Sequence, residues 1–159
     1  MFLFGCGFTP LYQAANEQVS TQLKETAVTA DFEVFKPQDK KLVYLIKTAT
    51  NELLNYNEQL VEPKYYFNID DLVVTENVAS IERSGEVARY NLNVALRYSL
   101  TDLETSKLIA TEQISEIAGY DTNNSIYSTH IATQDARERL ADLISKQIKR
   151  LLINIYSTM

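Results

Sequence analysis

The sequence has few of the residues from which catalytic and metal sites are usually built. Among 159 residues there is one cysteine (Cys6), one histidine (His130) and no tryptophan. A single cysteine excludes an internal disulfide and a multi-cysteine metal site, and one histidine is too few for the usual zinc sites. Cys6 and His130 could pair as nucleophile and base, but Cys6 lies on a segment that we expect to be a tether. We therefore predict no catalytic residues, no metal site and no enzymatic activity.

Other absences narrow the class of protein further. No glycine-rich phosphate loop, Gly-x-Ser-x-Gly or His-Glu-x-x-His occurs in the chain. The net charge is -6 and the isoelectric point about 4.8, so we predict no nucleic-acid partner, because binding the phosphate backbone requires a basic surface. No apolar run approaches the ~18 residues of a spanning helix. Contact with a membrane would therefore have to come through Cys6.

Cys6 follows Leu3-Phe4-Gly5, which is the pattern left where a bacterial secretory signal meets a mature lipoprotein. This predicts a diacylglycerol and an N-acyl lipid on Cys6, and no other cofactor; stable anchoring takes at least two acyl chains. We interpret residues 1–5 as the remnant of the signal segment, 6–27 as a lipid-anchored tether and 28–157 as one domain. The alternative is a small buried cysteine, and the five preceding residues are fewer than the apolar run of ~7–15 that export requires.

The hydrophobic period changes along the chain and predicts the elements of the domain. Asp70-Asp71 marks a change of parity that predicts a bulge, Asp39 is a candidate helix cap, and Ser125 or Thr129 is another. Ser84-Gly85 predicts a tight turn and 120–124 a loop. Alternation predicts four strands, at 28–34, 65–83, 87–100 and 107–118. Apolar spacings of three and four predict two helices, at 39–57 and from 126 or 129 to 155.

This order predicts the α+β class, as a two-layer sandwich with two helices packed on one face of a four-stranded, mostly antiparallel sheet. The strand at 87–100 has one apolar face. Its polar face carries Arg89, Asn91, Asn93 and Arg97, and we predict that this face meets a partner; the alternative is a solvated face. The two arginines lie eight residues apart, or ~26 Å at ~3.3 Å per residue, so they would make two separate contacts.

Three segments, in order along the chain, resemble the LptE family of lipopolysaccharide-assembly lipoproteins. They are Cys6-Gly7-Phe8-Thr9-Pro10-Leu11-Tyr12, Ala88-Arg89-Tyr90-Asn91-Leu92 with the following Ala95-x-x-Tyr98-x-Leu100-x-Asp102, and Tyr127 with Asp135-Ala136-x-x-Arg139. Gln13 and Gly119-Tyr120-Asp121 depart from the family's usual residues.

The resemblance implies a two-helix, four-stranded sandwich, anchored by lipid to the outer membrane on its periplasmic face. It also implies a protein that plugs the LptD β-barrel, assists assembly of that barrel and helps deliver lipopolysaccharide to the cell surface. Its partners would be an LptD-type barrel and lipopolysaccharide, which Arg89, Arg97, Asn91 and Asn93 would contact. Two alternatives stay open: another lipid-anchored periplasmic binding or structural module, and a soluble cytoplasmic domain if Cys6 is never acylated.

Overall fold

A computed structural model describes residues 11–54, 61–83, 85–122 and 125–159. Cys6 and the expected signal remnant 1–5 lie outside the described residues. The described elements are α1 (Leu11–Lys24), β1 (Thr26–Ala30), α2 (Lys40–Leu53), β2 (Tyr65–Ile81), β3 (Val87–Asp102), β4 (Lys107–Asp121) and α3 (Ile126–Ser157). The strands form one sheet in the order β1-β2-β3-β4.

The sheet is a long antiparallel meander with a short parallel strand added at one edge. β2 pairs with β3 and β3 with β4 along nearly their whole lengths, whereas β1 pairs in parallel with only the first five residues of β2. Gly85 has φ +88° in the turn between β2 and β3, a conformation that glycine adopts without steric cost. The predicted bulge is confirmed, because the register skips Asp70 between the pairs Ile69–Tyr98 and Asp71–Arg97.

The core lies between one face of this sheet and the helices. On α3 every fourth residue is buried, in the row Ala136, Leu140, Ile144, Ile148, Leu152 and Tyr156. The apolar spacing in the sequence predicts a stripe that ends instead at Leu151 and Ile155, and both of these residues are only partly buried. The buried row is a ridge of residues four apart, which is the kind that packs into a neighbouring surface. The Ser145 hydroxyl donates to the Ile46 carbonyl, and Lys149 donates to the Leu53 carbonyl, which joins α3 to α2. The predicted α+β class is confirmed.

The first helix, α1, was not predicted. A lipid-anchored tether was predicted for residues 6–27, but residues 11–24 are helical and Leu23 is buried, with Val19 packed beside the core. The Thr26 hydroxyl lies 2.6 Å from the Tyr156 hydroxyl at the end of α3. Two apolar residues four apart are too few to predict a helix within a polar segment. They are nevertheless enough to hold α1 against a core that the other elements form.

Three local predictions are corrected by the structure. β1 ends at Ala30 and not at residue 34, because the Asp31 carboxylate accepts from the Glu33 amide and turns the chain. Asp39 precedes α2 but makes no capping bond; its carboxylate is buried 3.9 Å from the Arg137 guanidinium. Tyr120 belongs to β4 and is buried, whereas a loop was expected there. The predicted Ser125 cap is confirmed, since its hydroxyl accepts from the Ser128 amide.

Candidate functional site

The four predicted contact residues lie on the face of the sheet that the helices leave uncovered, which we call the outer face. Strand alternation puts them there, because the intervening residues of β3 are buried against the helices: Leu92, Val94, Leu96, Tyr98 and Leu100. Arg89, Asn91, Asn93 and Arg97 therefore share one face, as predicted. They follow one another along a single strand, so they form a row and not a pocket.

Arg89 pairs with a carboxylate on the neighbouring strand β4. Its guanidinium lies 3.6 Å from the Asp121 carboxylate, and both side chains are at least half exposed. A Cβ atom added at Gly119 would lie 2.7 Å from Arg89 Nε and 3.1 Å from Asn91 Oδ1. Gly119 thus leaves the space through which the Arg89 side chain passes, and one of the two predicted phosphate ligands already has an acidic partner.

Arg97 lies at the acidic end of the outer face. It is exposed and stands opposite Asp71 in the ladder, and it takes part in none of the ion pairs among the described residues. Asp70, the bulge residue, accepts hydrogen bonds from Asn68 and Ser99. Two adjacent acids on a regular strand would point to opposite faces; here the bulge places both Asp70 and Asp71 on the outer face.

The charges on the outer face nearly cancel. Arg89 and Arg97 face Asp70, Asp71 and Asp121, so the face is polar without being basic. Asn93 adds a polar group that lacks a partner, since its Nδ2 atom is buried and makes no hydrogen bond with any described residue. Such a face can both donate and accept hydrogen bonds with a polar partner surface. Arg97 is the cation on this face that has no ion-pair partner in the described part of the chain.

The far half of β2 is the feature that sequence patterns did not reveal. We call Tyr65–Ile69 the proximal segment and Asp71–Ile81 the distal segment. β1 covers only the proximal edge, and every residue from Thr75 to Ile81 is exposed. Val73, Val78 and Ile81 are 48%, 50% and 62% exposed. Alternation in the sequence identified the two faces of this strand, but it carries no signal for which neighbouring layer stops short.

A polar cleft of about 420 Å³ separates the distal segment from the helices. The Tyr120 hydroxyl donates to the Glu76 carboxylate across it, and burial together with this bond raises the pKa of Tyr120. The Asp39 carboxylate and Arg137 line its other wall. Nowhere in the described ranges do three or more histidine, cysteine, aspartate or glutamate side chains gather as a metal site.

A second cavity, of about 540 Å³, opens between α3 and β4. The Tyr98 hydroxyl and Gln147 Oε1 line it, and neither atom has a hydrogen-bond partner among the described residues. Burial raises the pKa of Tyr98 to about 12. None of the helices in the described ranges contains a stretch long and apolar enough to cross a bilayer.

Comparison with known proteins places this architecture among bacterial lipoproteins. The model of the family described as LptE, lipopolysaccharide-assembly, matches residues 28–152. An uncharacterized protein of Rickettsia prowazekii is 28% identical over 103 residues, and the match spans 65% of each chain.

Two solved structures have the same fold. A putative lipoprotein from Caulobacter crescentus superposes with a TM-score of 0.68 at 19% identity, covering 89% of this chain and 97% of that one. Rare lipoprotein B from Shewanella oneidensis superposes with a TM-score of 0.53 at 14% identity, covering 82% of this chain and 97% of its own.

Proposed function

The chain belongs to the LptE lipopolysaccharide-assembly family, and from that membership we propose that it is the lipoprotein that plugs an LptD-type β-barrel. In this role it assists assembly of the barrel and helps deliver lipopolysaccharide to the cell surface. The observation that carries the proposal is the family match, which runs without a break from β1 into the last turns of α3. The protein acts by binding and shaping a partner, without a catalytic step.

The outer face suits the inside of a barrel. Barrel lumens are polar, so a plug must present hydrogen-bonding side chains that are not committed to its own core. The row of Arg89, Asn91, Asn93 and Arg97 supplies both donors and acceptors along one strand. Because carboxylates on the neighbouring strands, Asp71 and Asp121, stand opposite its two arginines, we assign the row mainly to the barrel wall.

Lipopolysaccharide contact is assigned mainly to Arg97. A phosphate pairs with a guanidinium through two hydrogen bonds, and Arg97 has no ion-pair partner among the described residues. A phosphate at Arg89 would have to compete with Asp121, which lies 3.6 Å from it.

The anchor is proposed to be the lipid on Cys6, which would hold the protein to the periplasmic face of the outer membrane. Cys6 precedes α1 by only a few residues. With a full signal segment supplied, cells fed a radiolabelled fatty acid should label the parent chain, and Cys6→Ala should not label. Equal labelling of both chains would remove the anchor from the proposal.

The plug is tested by copurification with the LptD-type barrel encoded by the same genome. Arg89→Glu combined with Arg97→Glu should reduce copurification and lipopolysaccharide binding, because the outer face then carries five carboxylates. Arg89→Gln with Arg97→Gln should have a smaller effect in the same direction. Both variants should remain folded, since both arginine side chains are exposed.

The matched control changes two exposed cations on the helix layer, Lys146→Glu with Arg150→Glu. It alters the net charge equally and should copurify like the parent. If the parent chain does not copurify with the barrel, the plug proposal fails and the chain is another lipid-anchored envelope module. If the arginine variants copurify and bind lipopolysaccharide like the parent, the outer face is only solvated.

A further inference from the structure

The sheet has three stretches of unpaired strand edge, which differ in the side chains that cover or block them. An unpaired edge exposes a row of backbone N–H and C=O groups to which another strand can add, so folded proteins usually block such edges. The outer edge of β1, the outer edge of β4 and the distal segment of β2 are the three stretches here.

The edge of β1 is closed by a side chain from α2. Asn51 accepts a hydrogen bond from the Val28 amide at 3.0 Å and approaches the Val28 carbonyl with its own amide at 3.5 Å. An asparagine amide can imitate a neighbouring strand in this way, because it carries one acceptor and two donors. The middle of this short strand therefore has no free backbone groups to offer.

The edge of β4 carries charges that discourage pairing. Glu112 and Glu116 stand opposite Tyr98 and Val94, which are buried, so both carboxylates occupy the helix side of the edge strand. Arg139 of α3 donates to the Gly119 carbonyl at 2.9 Å. Inward-pointing charges and covering side chains are both known devices against strand addition.

From Val73 to Ile81 the distal segment has fewer of these devices. Glu76 stands opposite the buried Leu92 and is its one inward-facing charge, the register shifts between Val78 and Ser80, and no side chain of the described residues bonds to its open edge. Its sequence, Val73-Val74-Thr75-Glu76-Asn77-Val78-Ala79-Ser80-Ile81, is rich in β-branched residues and contains no proline, glycine or lysine. Between Val73 and Ile81 the one charge is Glu76, whose carboxylate accepts a hydrogen bond from the Tyr120 hydroxyl. No group in the described ranges makes a backbone hydrogen bond to its open edge. A stretch with this composition is the kind that pairs with another strand.

We propose that the distal segment of β2 is a docking edge, to which a strand of a partner protein adds and extends the sheet. Backbone hydrogen bonds would supply the affinity, and alternate side chains the specificity. If the proposed function is correct, the partner is the LptD-type protein, through a segment outside its closed barrel wall, since a closed wall has no free edge.

Charge identifies the partner strand as basic. From Asp70 to Arg83 the chain carries Asp70, Asp71, Glu76 and Glu82 against the single cation Arg83. A strand bearing lysine or arginine would complement this row, whereas a second copy of the chain, with its net charge of -6, would repel it. The occupant is therefore a different protein.

Hydrogen exchange on the copurified complex tests the proposal. Backbone amides of residues 71–81 should exchange about tenfold more slowly in the complex than in the free chain, because edge N–H groups gain partners. Val78→Lys with Ala79→Lys should abolish that slowing, since lysine blocks an edge. The matched variant Thr111→Lys with Gln113→Lys, on the already guarded edge of β4, should keep it.

Two other outcomes of the exchange experiment would contradict the proposal, one for the docking edge itself and one for the partner assigned to it. A complex in which residues 71–81 exchange as in the free chain overturns the docking edge and leaves the plug function intact. Slowing that rises with the concentration of the free chain identifies a second copy as the occupant and overturns the partner assigned here.

If the parent chain and the barrel form no complex, the plug function fails, and a synthetic peptide decides the docking edge. The probe is a nine-residue peptide of alternating valine with lysine and threonine, added to the isotope-labelled free chain. Shifts of the amide signals of 71–81 in the parent, absent from the Val78→Lys and Ala79→Lys variant, support the edge. No shift overturns it.

Discussion

The proximal and distal segments of β2 both alternate in sequence, but their surroundings differ. The proximal segment lies between β1 and β3, and it buries Phe67 and Ile69 completely. The distal segment continues the same ladder with β3, but no strand of the described ranges pairs with its other edge, and it is exposed from Thr75 onward. Both halves alternate, so alternation selects the strand and its faces. Whether a face is buried depends on how far α2, α3 and β1 extend over it.

The bulge at Asp70 is the boundary between the halves, and deletions would show what it does. Deleting Asp70 should leave Ile69–Tyr98 and Asp71–Arg97 as consecutive pairs, so it should cost only about 1–2 kcal/mol for the lost hydrogen bonds. Deleting Asn68 should force Phe67 or Ile69 onto the outer face, since a one-residue slip reverses a strand. That variant should lose cooperative unfolding in urea.

Equal damage from both deletions would contradict this account of the bulge. Circular dichroism at increasing urea concentration measures both variants on the same scale as the parent. A stable Asn68 deletion would mean that the proximal segment is not held by its buried face.

Side-chain truncation should separate the halves by several kcal/mol. Phe67 is fully buried and stacks on Tyr98 with ring centroids 4.6 Å apart, so Phe67→Ala should reduce the free energy of unfolding by about 3–5 kcal/mol. Val78 is half exposed in the distal segment, and Val78→Ala should cost less than about 1 kcal/mol. If the two variants melted alike in urea, the distal segment would be covered in the free chain.

The next comparison concerns Asn51, whose side chain covers the edge of β1. Asn51→Ala removes the side chain that pairs with Val28, and Val28 is buried, so its amide would be left without a partner at a cost of about 1–3 kcal/mol. The matched change on the distal segment, Asn77→Ala, exposes no buried group and should cost less than about 0.5 kcal/mol. Urea midpoints measure both. Equal midpoints would show that water replaces Asn51 at this edge.

The strands and the last helix were predictable because long, regular periods specify them. β3 alternates through its whole length, and α3 repeats its apolar residues every three or four positions. The outer-face row of Arg89, Asn91, Asn93 and Arg97 followed from the same alternation. Cys6 lies outside the described residues, and its lipidation stays a prediction.

What the sequence did not predict depends on contacts between elements. The ion pair of Arg89 with Asp121 and the position of Arg97 opposite Asp71 follow from the register of three strands, which no single strand encodes. Asp39 lies at the cap position of α2 without a capping bond, and its carboxylate is buried 3.9 Å from the Arg137 guanidinium of α3. α1 folds because Leu23 finds a core that other segments have already built.

The hydroxyl groups of two tyrosines, one beside each segment of β2, differ in their hydrogen bonding. Tyr98 pairs with Ile69 and stacks on Phe67 of the proximal segment, and its buried hydroxyl has no partner among the described residues. Tyr120 donates its hydroxyl to Glu76 of the distal segment. At pH 7, Tyr98→Phe should leave the unfolding free energy unchanged or raise it. Tyr120→Phe should lower it by about 0.5–1.5 kcal/mol, because Glu76 loses its donor.

Alkaline pH should reverse the order of the parent and Tyr98→Phe. Burial raises the pKa of Tyr98 to about 12, whereas an unfolded tyrosine titrates near pH ~10. The folded state therefore holds the proton more tightly, and the parent loses stability as the pH rises from about 10 toward 12, by up to ~1.4 kcal/mol per pH unit for this group. Tyr98→Phe lacks that loss, so at pH 11 it should unfold at a higher urea concentration than the parent. The slope that remains includes Tyr120 and Tyr156, whose pKa values burial also raises, and Lys64, whose pKa the hydrogen bond to Glu25 raises. If parent and variant lost stability in parallel above pH 10, the Tyr98 hydroxyl would be hydrated. Water would then reach the proximal segment as it reaches the distal segment, and this contrast between the two segments would be lost.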